Sequence, residues 1–174
     1  AFVSKPGFDP NLFVDGIDLA SWDLLNNSSD RPMVNRALAG TYPPGSTFKP
    51  YMALAALELG KRTQQQTIYD PGYFQFGNHR FRDSKPGGHG TVDMYKSIVA
   101  SCDTYYYMLG NDLGIDNIAR FIGQFGFGAK TGIDMEGEVT GVLPSQEWKR
   151  HRFRKPEQQK WYAGETISVG IGQG

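Results

Sequence analysis

The stretch Tyr42-Pro43-Pro44-Gly45-Ser46-Thr47-Phe48-Lys49-Pro50 is the most informative part of the sequence. Its prolines and glycine predict a sharp, extended approach, because a residue before proline is disfavoured in the helical region. The alanine-rich, apolar run up to Leu59 then predicts a helix that Gly60 ends. Ser46 is therefore expected at the helix N-terminus, with Lys49 about one turn on and facing the same side.

A serine and a lysine in this relation are suited to nucleophilic catalysis. The Ser46 hydroxyl needs a base to take its proton, and the Lys49 amine can do so in its neutral form. Burial or neighbouring cations favour that neutral form. The same spacing also occurs as an N-capping serine followed by a solvated lysine, so the four residues alone leave both interpretations open.

Composition bounds the rest of the interpretation. The chain has 174 residues, no formal net charge and 39% hydrophobic residues, which predicts about one domain with a sizeable core and gives no argument for a nucleic-acid partner. No apolar run approaches the roughly 20 residues that span a bilayer, and no leader segment is recognisable. Strand-like residues at both ends, Ala1–Ser4 and Thr166–Ile171, indicate a piece cut from a longer protein.

Periodicity predicts three further helices. Thr91 is expected to cap the first, which stops near Ser101. The second begins at Thr104, and its run Tyr105-Tyr106-Tyr107 is interpreted as helix core. Asp116 caps the third, which Gly126 ends.

The remaining segments predict loops and short strands. Residues 64–81 are expected to form short strands or loops, and residues 83–90 a flexible loop. The basic, proline-interrupted segment 148–161 is interpreted as a solvated surface loop, with a contact to an anionic polymer or lipid headgroups as the alternative. Gly170-x-Gly172-x-Gly174 does not qualify as a nucleotide loop, since no helix follows it.

Several of these residues together resemble a known family. Asn35-Arg36-Ala37 and the stretch 40–49 are similar to the acyl-enzyme signature of class B penicillin-binding proteins, and residues 3–11 and 164–174 match the same family. The resemblance covers essentially the whole chain and is closest to elongation-class members from Gram-negative bacteria. It implies an α/β (α+β) transpeptidase domain of the serine β-lactamase-like class, with helices packed on an antiparallel sheet and the C-terminal part of the domain absent.

The resemblance also implies roles for individual residues. Ser46 would be the nucleophile, Lys49 its base, and Ser101 a proton relay towards the leaving amine. Asp103, where the family usually carries asparagine, would orient the substrate and Lys49, although its charge favours protonated Lys49. The expected substrate-binding residues are Tyr42, Gly45 and Thr47.

The family's third motif, Lys-Thr/Ser-Gly on a strand, is expected beyond Gly174. Lys130-Thr131-Gly132 has the right letters, but it follows Asp103 too closely and leads into an acidic, glycine-broken loop. We therefore interpret residues 1–174 as a partial transpeptidase domain that ends before this motif.

The resemblance implies a second motif, Ser-x-Asn, at Ser101-Cys102-Asp103, and a possible metal site lies beside this second motif. One thiolate, one imidazole and carboxylates suit tetrahedral Zn²⁺, and the candidates are Asp70, Asp83, His89 and Cys102. A bound zinc would be structural and would tie the His89 loop to Ser101. The alternative is a buried cysteine and an unrelated surface histidine.

The implied function is D,D-transpeptidation of peptidoglycan stem peptides during cell-wall elongation, with covalent inhibition by β-lactams and no cofactor required. The implied location is the periplasmic face of the bacterial inner membrane, with a membrane glycosyltransferase and rod-shape proteins as partners and no nucleic acid. Two alternatives stay open: a class D-like β-lactamase or β-lactam sensor, and an inactive fragment that acts only as a binding module.

Overall fold

The computed structural model describes residues 2–174, which form two units. One unit contains the residues up to Tyr42 together with Lys130–Gly141, and the other contains Pro43–Ala129 with Val142–Gly174. The helices are α1 (Leu19–Asn26), α2 (Arg36–Ala39), α3 (Lys49–Glu58), α4 (Met94–Val99), α5 (Asp103–Leu113), α6 (Ile115–Ile122), α7 (Gln146–Arg152), α8 (Pro156–Gln159) and α9 (Ala163–Val169). The strands are β1 (Ile68–Asp70), β2 (Tyr73–Phe76), β3 (His79–Arg82) and β4 (Gly90–Val92), and 3-10 turns cover Pro10–Phe13, Gly45–Phe48 and Gly123–Phe125.

The smaller unit is held by helix caps and a few backbone hydrogen bonds. Asp18 caps α1 by accepting hydrogen bonds from the Ala20 and Ser21 amides. Bonds from Ser21 are the main reason that the pKa of Asp18 lies below its usual value. The predicted N-terminal strand is wrong for Phe2–Ser4, which form no strand, and Ala1 lies outside the described residues.

The larger unit has a helical core centred on α5. Helices α3, α6 and α9 all pack against α5. Their apolar faces interlock because each contributes side chains that are fully shielded from solvent. These residues are Met52, Ala55, Ala56, Tyr105, Tyr106, Leu109, Ile118, Ile122 and Ile167.

Helix α9 replaces the strand predicted for Thr166–Ile171, so that prediction is wrong. β-Branched residues favour strands, but packing decides the outcome here. A Cβ added at Gly110 of α5 would lie 3.0 Å from the Thr166 carbonyl oxygen, and one at Gly170 would meet the Tyr106 carbonyl. The two helices therefore touch at backbone distance, and the β-branched face of α9 is buried in this contact.

The strands form two small antiparallel sheets. Strand β1 pairs with β4, with Asp70 opposite Gly90, and β2 pairs with β3 as a hairpin. The expectation of helices with antiparallel strands is confirmed, and so are short strands within residues 64–81. The strand pair β1–β4 brings the carboxylate of Asp70 beside the loop that leads to His89.

Several helix boundaries differ from the prediction for local reasons. Asp93, not Thr91, caps α4 by accepting from the Lys96 amide, and Thr91 lies in β4. Gly126 ends the third predicted helix in a left-handed conformation, as expected, although the last turn is 3-10. Segment 148–161 is not a loop, since α7 and α8 cover most of it.

Within residues 2–174, we find no helix with the length and apolar character needed to cross a bilayer.

Candidate active site

The turn that carries Ser46 is fixed from both sides. Gly45 has φ +56°, a conformation that favours glycine, and its amide donates to the Gly172 carbonyl at 3.0 Å. The Thr47 hydroxyl donates to the Pro44 carbonyl at 2.7 Å. Ser46 itself is exposed, so the turn presents its hydroxyl to solvent.

Lys49 begins α3 and is 1% exposed. Its Nζ donates to the Ser101 carbonyl at 2.8 Å, to Ser101 Oγ at 3.0 Å and to Asp103 Oδ1 at 2.5 Å. These three partners match the three N–H donors of an ammonium group. The Tyr106 ring lies beneath, 5.6 Å from Nζ, so this charge is fully enclosed by acceptors and an aromatic face.

Ser101 connects Lys49 to Ser46. Its backbone is left-handed, with φ 52°, and the amides of Ser101 and Cys102 donate to Ile98 and Ser97 at the end of α4. This turn holds Ser101 Oγ 2.9 Å from Ser46 Oγ. The result is one continuous hydrogen-bonded path, Ser46–Ser101–Lys49–Asp103.

The structure therefore brings the four predicted catalytic residues together. The three predicted substrate-binding residues differ in their hydrogen bonding and exposure. The Gly45 amide is bonded to the Gly172 carbonyl and the Thr47 hydroxyl to the Pro44 carbonyl. Tyr42 is 69% exposed and belongs to the smaller unit. A role in substrate binding stays a prediction for all three.

Lys130-Thr131-Gly132 lies in a loop, as the sequence argument against a third motif expects. The amide and hydroxyl of Thr131 both donate to Glu138 Oε1, at 2.7 and 2.6 Å. These bonds are the main reason that the pKa of Glu138 lies below its usual value. The segment closes on itself and does not form a strand.

The four predicted metal ligands also converge. Their ligand atoms all lie within 4.8 Å of one another. His89 Nδ1 is 2.9 Å from Asp70 Oδ2 and 3.3 Å from Asp83 Oδ1, and Cys102 Sγ is 3.5 Å from Asp70 Oδ2. Ligand atoms on a tetrahedral zinc, at 2.0–2.3 Å from the ion, are about 3.3–3.8 Å apart. The cluster thus has the donor types and approximate spacing of a zinc site.

Electrostatics in this cluster favour a cation. Asp70 is fully buried. Although burial opposes its ionisation, the nearby Thr104 side chain and hydrogen bonds from the Gly72 amide and His89 hold the pKa of Asp70 below its usual value. Burial raises the pKa of the Cys102 thiol far above its usual value, and the Asp83 and Asp70 carboxylates add to this. A metal ion would neutralise the carboxylates and stabilise the thiolate.

Sequence reasoning missed two supports of the site. Gly172 accepts the Gly45 hydrogen bond, and a Cβ on it would lie 2.8 Å from the Gly45 nitrogen and 2.9 Å from Phe48 Cβ. The Tyr106 hydroxyl lies 3.1 Å from Ser97 Oγ, which donates to the Met94 carbonyl at 2.7 Å. The only signals were the glycine-rich end of the chain and three consecutive tyrosines, and neither indicates a partner.

The chain is similar to known proteins over its full length. The family model for the penicillin binding protein transpeptidase domain matches residues 1–174. The chain is 48% identical to the peptidoglycan D,D-transpeptidase MrdA of Escherichia coli strain K12 and 51% identical to MrdA of Acinetobacter baumannii, in both cases over 100% of this chain. It covers only 27% and 26% of those two proteins, about a quarter of their length.

Solved structures show the same fold. Pseudomonas aeruginosa PBP2 in complex with WCK 5153 matches with a TM-score of 0.90 and 48% identity, over 99% of this chain and 37% of that one. The complex between PBP2 and MreC from Helicobacter pylori matches with a TM-score of 0.91 and 37% identity, over 99% and 31%. The family match over the full length and the relatedness to these proteins lead to one conclusion: the chain belongs to the penicillin-binding protein transpeptidase family.

Proposed function

We propose that this chain carries the acyl-transfer site of a peptidoglycan D,D-transpeptidase. The observation that supports it most is the path from Ser46 Oγ through Ser101 Oγ to Lys49 Nζ, with steps of 2.9 and 3.0 Å. Those distances allow proton transfer along hydrogen bonds. Nucleophile and base are both side chains of this chain, so the chemistry requires no cofactor.

The proposed reaction has two steps. Ser46 Oγ attacks the carbonyl between the two terminal D-alanines of a stem peptide, and its proton passes through Ser101 to neutral Lys49. The C–N bond then breaks, and the leaving amine takes up that proton along the same path. In the second step an amine of a neighbouring stem peptide attacks the ester and gives up a proton along Lys49 and Ser101. The new amide forms, the ester C–O bond breaks, and Ser46 Oγ takes up that proton.

Asp103 has a positioning role in this scheme. Its Oδ1 holds Nζ at 2.5 Å, and the Ser101 carbonyl holds it at 2.8 Å. Because these two acceptors bind Nζ from two sides, its remaining hydrogen-bonding position faces the Ser101 hydroxyl. When Lys49 takes up the proton from Ser46, the resulting buried ammonium is paired with these acceptors, which avoids the large penalty of an isolated buried charge.

Covalent labelling tests the nucleophile. Intact-mass analysis after incubation with a penicillin should show one added drug mass, and Ser46→Ala should show none. The same measurement is repeated with the chain extended past Gly174, where the third motif is expected. If the extended protein also stays unlabelled, the proposal is wrong, and if the adduct is released within seconds, the protein is a β-lactamase.

The wider setting is proposed from the relatives. A PBP2 of Helicobacter pylori forms a complex with MreC, and a peptidoglycan synthase complex also matches this chain at 37% identity. We infer that the protein works in cell-wall elongation, beside a membrane glycosyltransferase and rod-shape proteins. Its place would be the periplasmic face of the inner membrane, where peptidoglycan is cross-linked.

We also propose a structural zinc held by Asp70, Asp83, His89 and Cys102. Cys102 directly follows Ser101, and the Thr104 amide donates to Asp83 Oδ2 at 2.8 Å, so the cluster borders the second motif on both sides. The ion would supply charge neutralisation and rigidity there, and it would take no part in the acyl transfer.

Metal analysis tests the zinc site. Protein purified without chelator should contain about one zinc per chain, and His89→Ala should lose it. His79 and His151 are exposed and serve as matched controls, because their substitution should leave the zinc content unchanged. A chelator should lower the melting temperature of the parent protein and not that of His89→Ala. Equal zinc content in all three variants would contradict the proposal.

A further inference from the structure

The segment from α7 to the start of α9 carries an excess of unpaired positive charge. Between Gln146 and Tyr162 there are six lysines and arginines but only two acidic residues, Glu147 and Glu157. Lys149 is buried against Glu165, with Nζ 2.6 Å from Oε2. The other five cations are exposed, and in the described part of the chain none has a carboxylate within 4.0 Å. We call them the basic surface: Arg150, Arg152, Arg154, Lys155 and Lys160.

The basic surface is firmly attached to the catalytic turn. Glu165, which receives Lys149, also accepts from the Tyr162 amide at 2.8 Å in the first turn of α9. Helix α9 packs on α5 and leads to Gly172, whose carbonyl accepts the Gly45 hydrogen bond beside Ser46. The position of these cations relative to the nucleophile is therefore set by one short helix.

Helix α9 is similar in length to a stem peptide. The seven residues of α9 span about 10 Å at 1.5 Å per residue. A four-residue peptide in extended form spans about 13 Å. The helix that joins the basic surface to the catalytic turn is thus no longer than one extended stem peptide.

We propose that the basic surface binds the stem-peptide carboxylates of peptidoglycan strands, an inference that rests on the proposed function. Three of its five residues are arginines, whose planar fork pairs with carboxylates through two hydrogen bonds. Single exposed ion pairs are weak. A strand that carries many stem peptides joins several such pairs, and their combined binding is much stronger.

The structure favours this polymer over a membrane surface. The large apolar side chains of α7 and the following turn, Trp148 and Phe153, are half-buried and pack on each other with ring centroids 6.4 Å apart. The segment therefore has no free apolar face, and helices that bind in the plane of a membrane need one.

Pelleting with purified peptidoglycan sacculi tests the inference. The variant carries Arg150→Glu, Arg152→Glu and Arg154→Glu. The matched control carries Lys5→Glu, Lys61→Glu and Lys130→Glu, three exposed cations elsewhere with the same change in charge. We expect the arginine variant to bind about tenfold more weakly than the parent. Salt at about 0.5 M should weaken parent binding to a similar degree, and sacculi stripped of stem peptides should not bind it.

Equal binding by parent and arginine variant overturns the inference, and so does an equal loss in the control. Stronger arginine-dependent pelleting with vesicles of anionic phospholipid than with sacculi would assign the surface to lipid instead. Penicillin labelling of Ser46 and the melting temperature are measured on the same proteins. Retained labelling with unchanged pelleting removes only this inference, whereas an unlabelled parent removes the proposed function.

Discussion

At the scale of single residues, Ser101 is the most constrained part of the site. It adopts φ 52°, which is unfavourable for any residue with a Cβ, and it still carries the only hydroxyl on the path between Ser46 and Lys49 within the described residues. Strain of this kind persists only where surrounding contacts hold it, and here three hydrogen bonds do so. The energetic cost of this left-handed backbone is therefore linked to the position of Ser101 Oγ.

Two substitutions at Ser101 separate the hydroxyl from the backbone. Ser101→Ala and Ser101→Gly both remove the relay, so both should acylate with penicillin about a hundredfold more slowly or worse. Only glycine relieves the left-handed strain, so Ser101→Gly should be more stable than Ser101→Ala by about 1 kcal/mol. Stopped-flow labelling and thermal unfolding measure the two effects. Wild-type rates in both variants would remove Ser101 from the mechanism.

At this scale the sequence predicted which side chains lie close together. Ser46, Lys49, Ser101 and Asp103 meet as expected, and the four candidate metal ligands converge although their spacing along the chain is loose. The sequence could not predict which hydrogen-bond partners the residues around Ser46 have. It did not show that the Gly45 amide is bonded to Gly172 or the Thr47 hydroxyl to Pro44, because such bonds depend on which segments lie alongside.

At the scale of elements, α9 determines where Ser46 stands. The helix is buried against α5 at backbone distance, and the residues after it carry the acceptor for the Gly45 amide. Its sequence predicted a strand, since Thr166, Ile167 and Val169 favour extended structure. The burial of all three residues against a neighbouring helix overrides that preference.

Gly172 should be essential for acylation although it carries no functional group. In Gly172→Ala the new methyl meets the Gly45 backbone and Phe48 Cβ, and φ +71° adds strain. We expect the penicillin labelling rate to fall at least tenfold. Gly164→Ala is the control, because its methyl would only touch Phe81 Cζ at 3.7 Å, and it should label normally. Equal rates in the two variants would show that the contact to Gly45 is dispensable.

At the scale of the whole molecule, the core includes ionisable rings. The three tyrosines of α5 are all buried, and burial raises the pKa of Tyr106 and of Tyr107 to about 12 and also raises that of Tyr105. The ordinary pKa is 10.0. Because the folded pKa is the higher one, these rings contribute full stability below pH 10, and the contribution is lost as the pH rises towards 12.

The protein should therefore lose stability steeply between about pH 10 and 12, by up to about 3 kcal/mol for each of the two rings. Urea unfolding across this range measures the loss. A Tyr106→Phe and Tyr107→Phe double variant should show a much smaller dependence on pH, although it is less stable at neutral pH. Tyr95 is 76% exposed, so Tyr95→Phe should behave like the parent protein. A double variant with the parent's slope would mean that other groups cause the alkaline transition.

Predictions from the sequence were weakest at this scale. The class of fold followed from the family resemblance, and several helices followed from periodicity, but the division into two units followed from neither. Segment 148–161 was expected to be a loop because of its charge and its proline. Lys149 of α7 is buried against Glu165 of α9, a contact that local sequence patterns do not indicate.

The hydrogen bond between Gly45 and Gly172 also links reactivity towards penicillin to the order in which parts of the chain fold. Its two residues stand near the first and last positions of the larger unit, so the bond forms only after a very long loop has closed. Contacts of such separation form slowly and late compared with helices. Reactivity towards penicillin should therefore emerge after helical structure during refolding. The time at which a drug begins to label Ser46 during refolding would then show when the two ends of the larger unit come into contact.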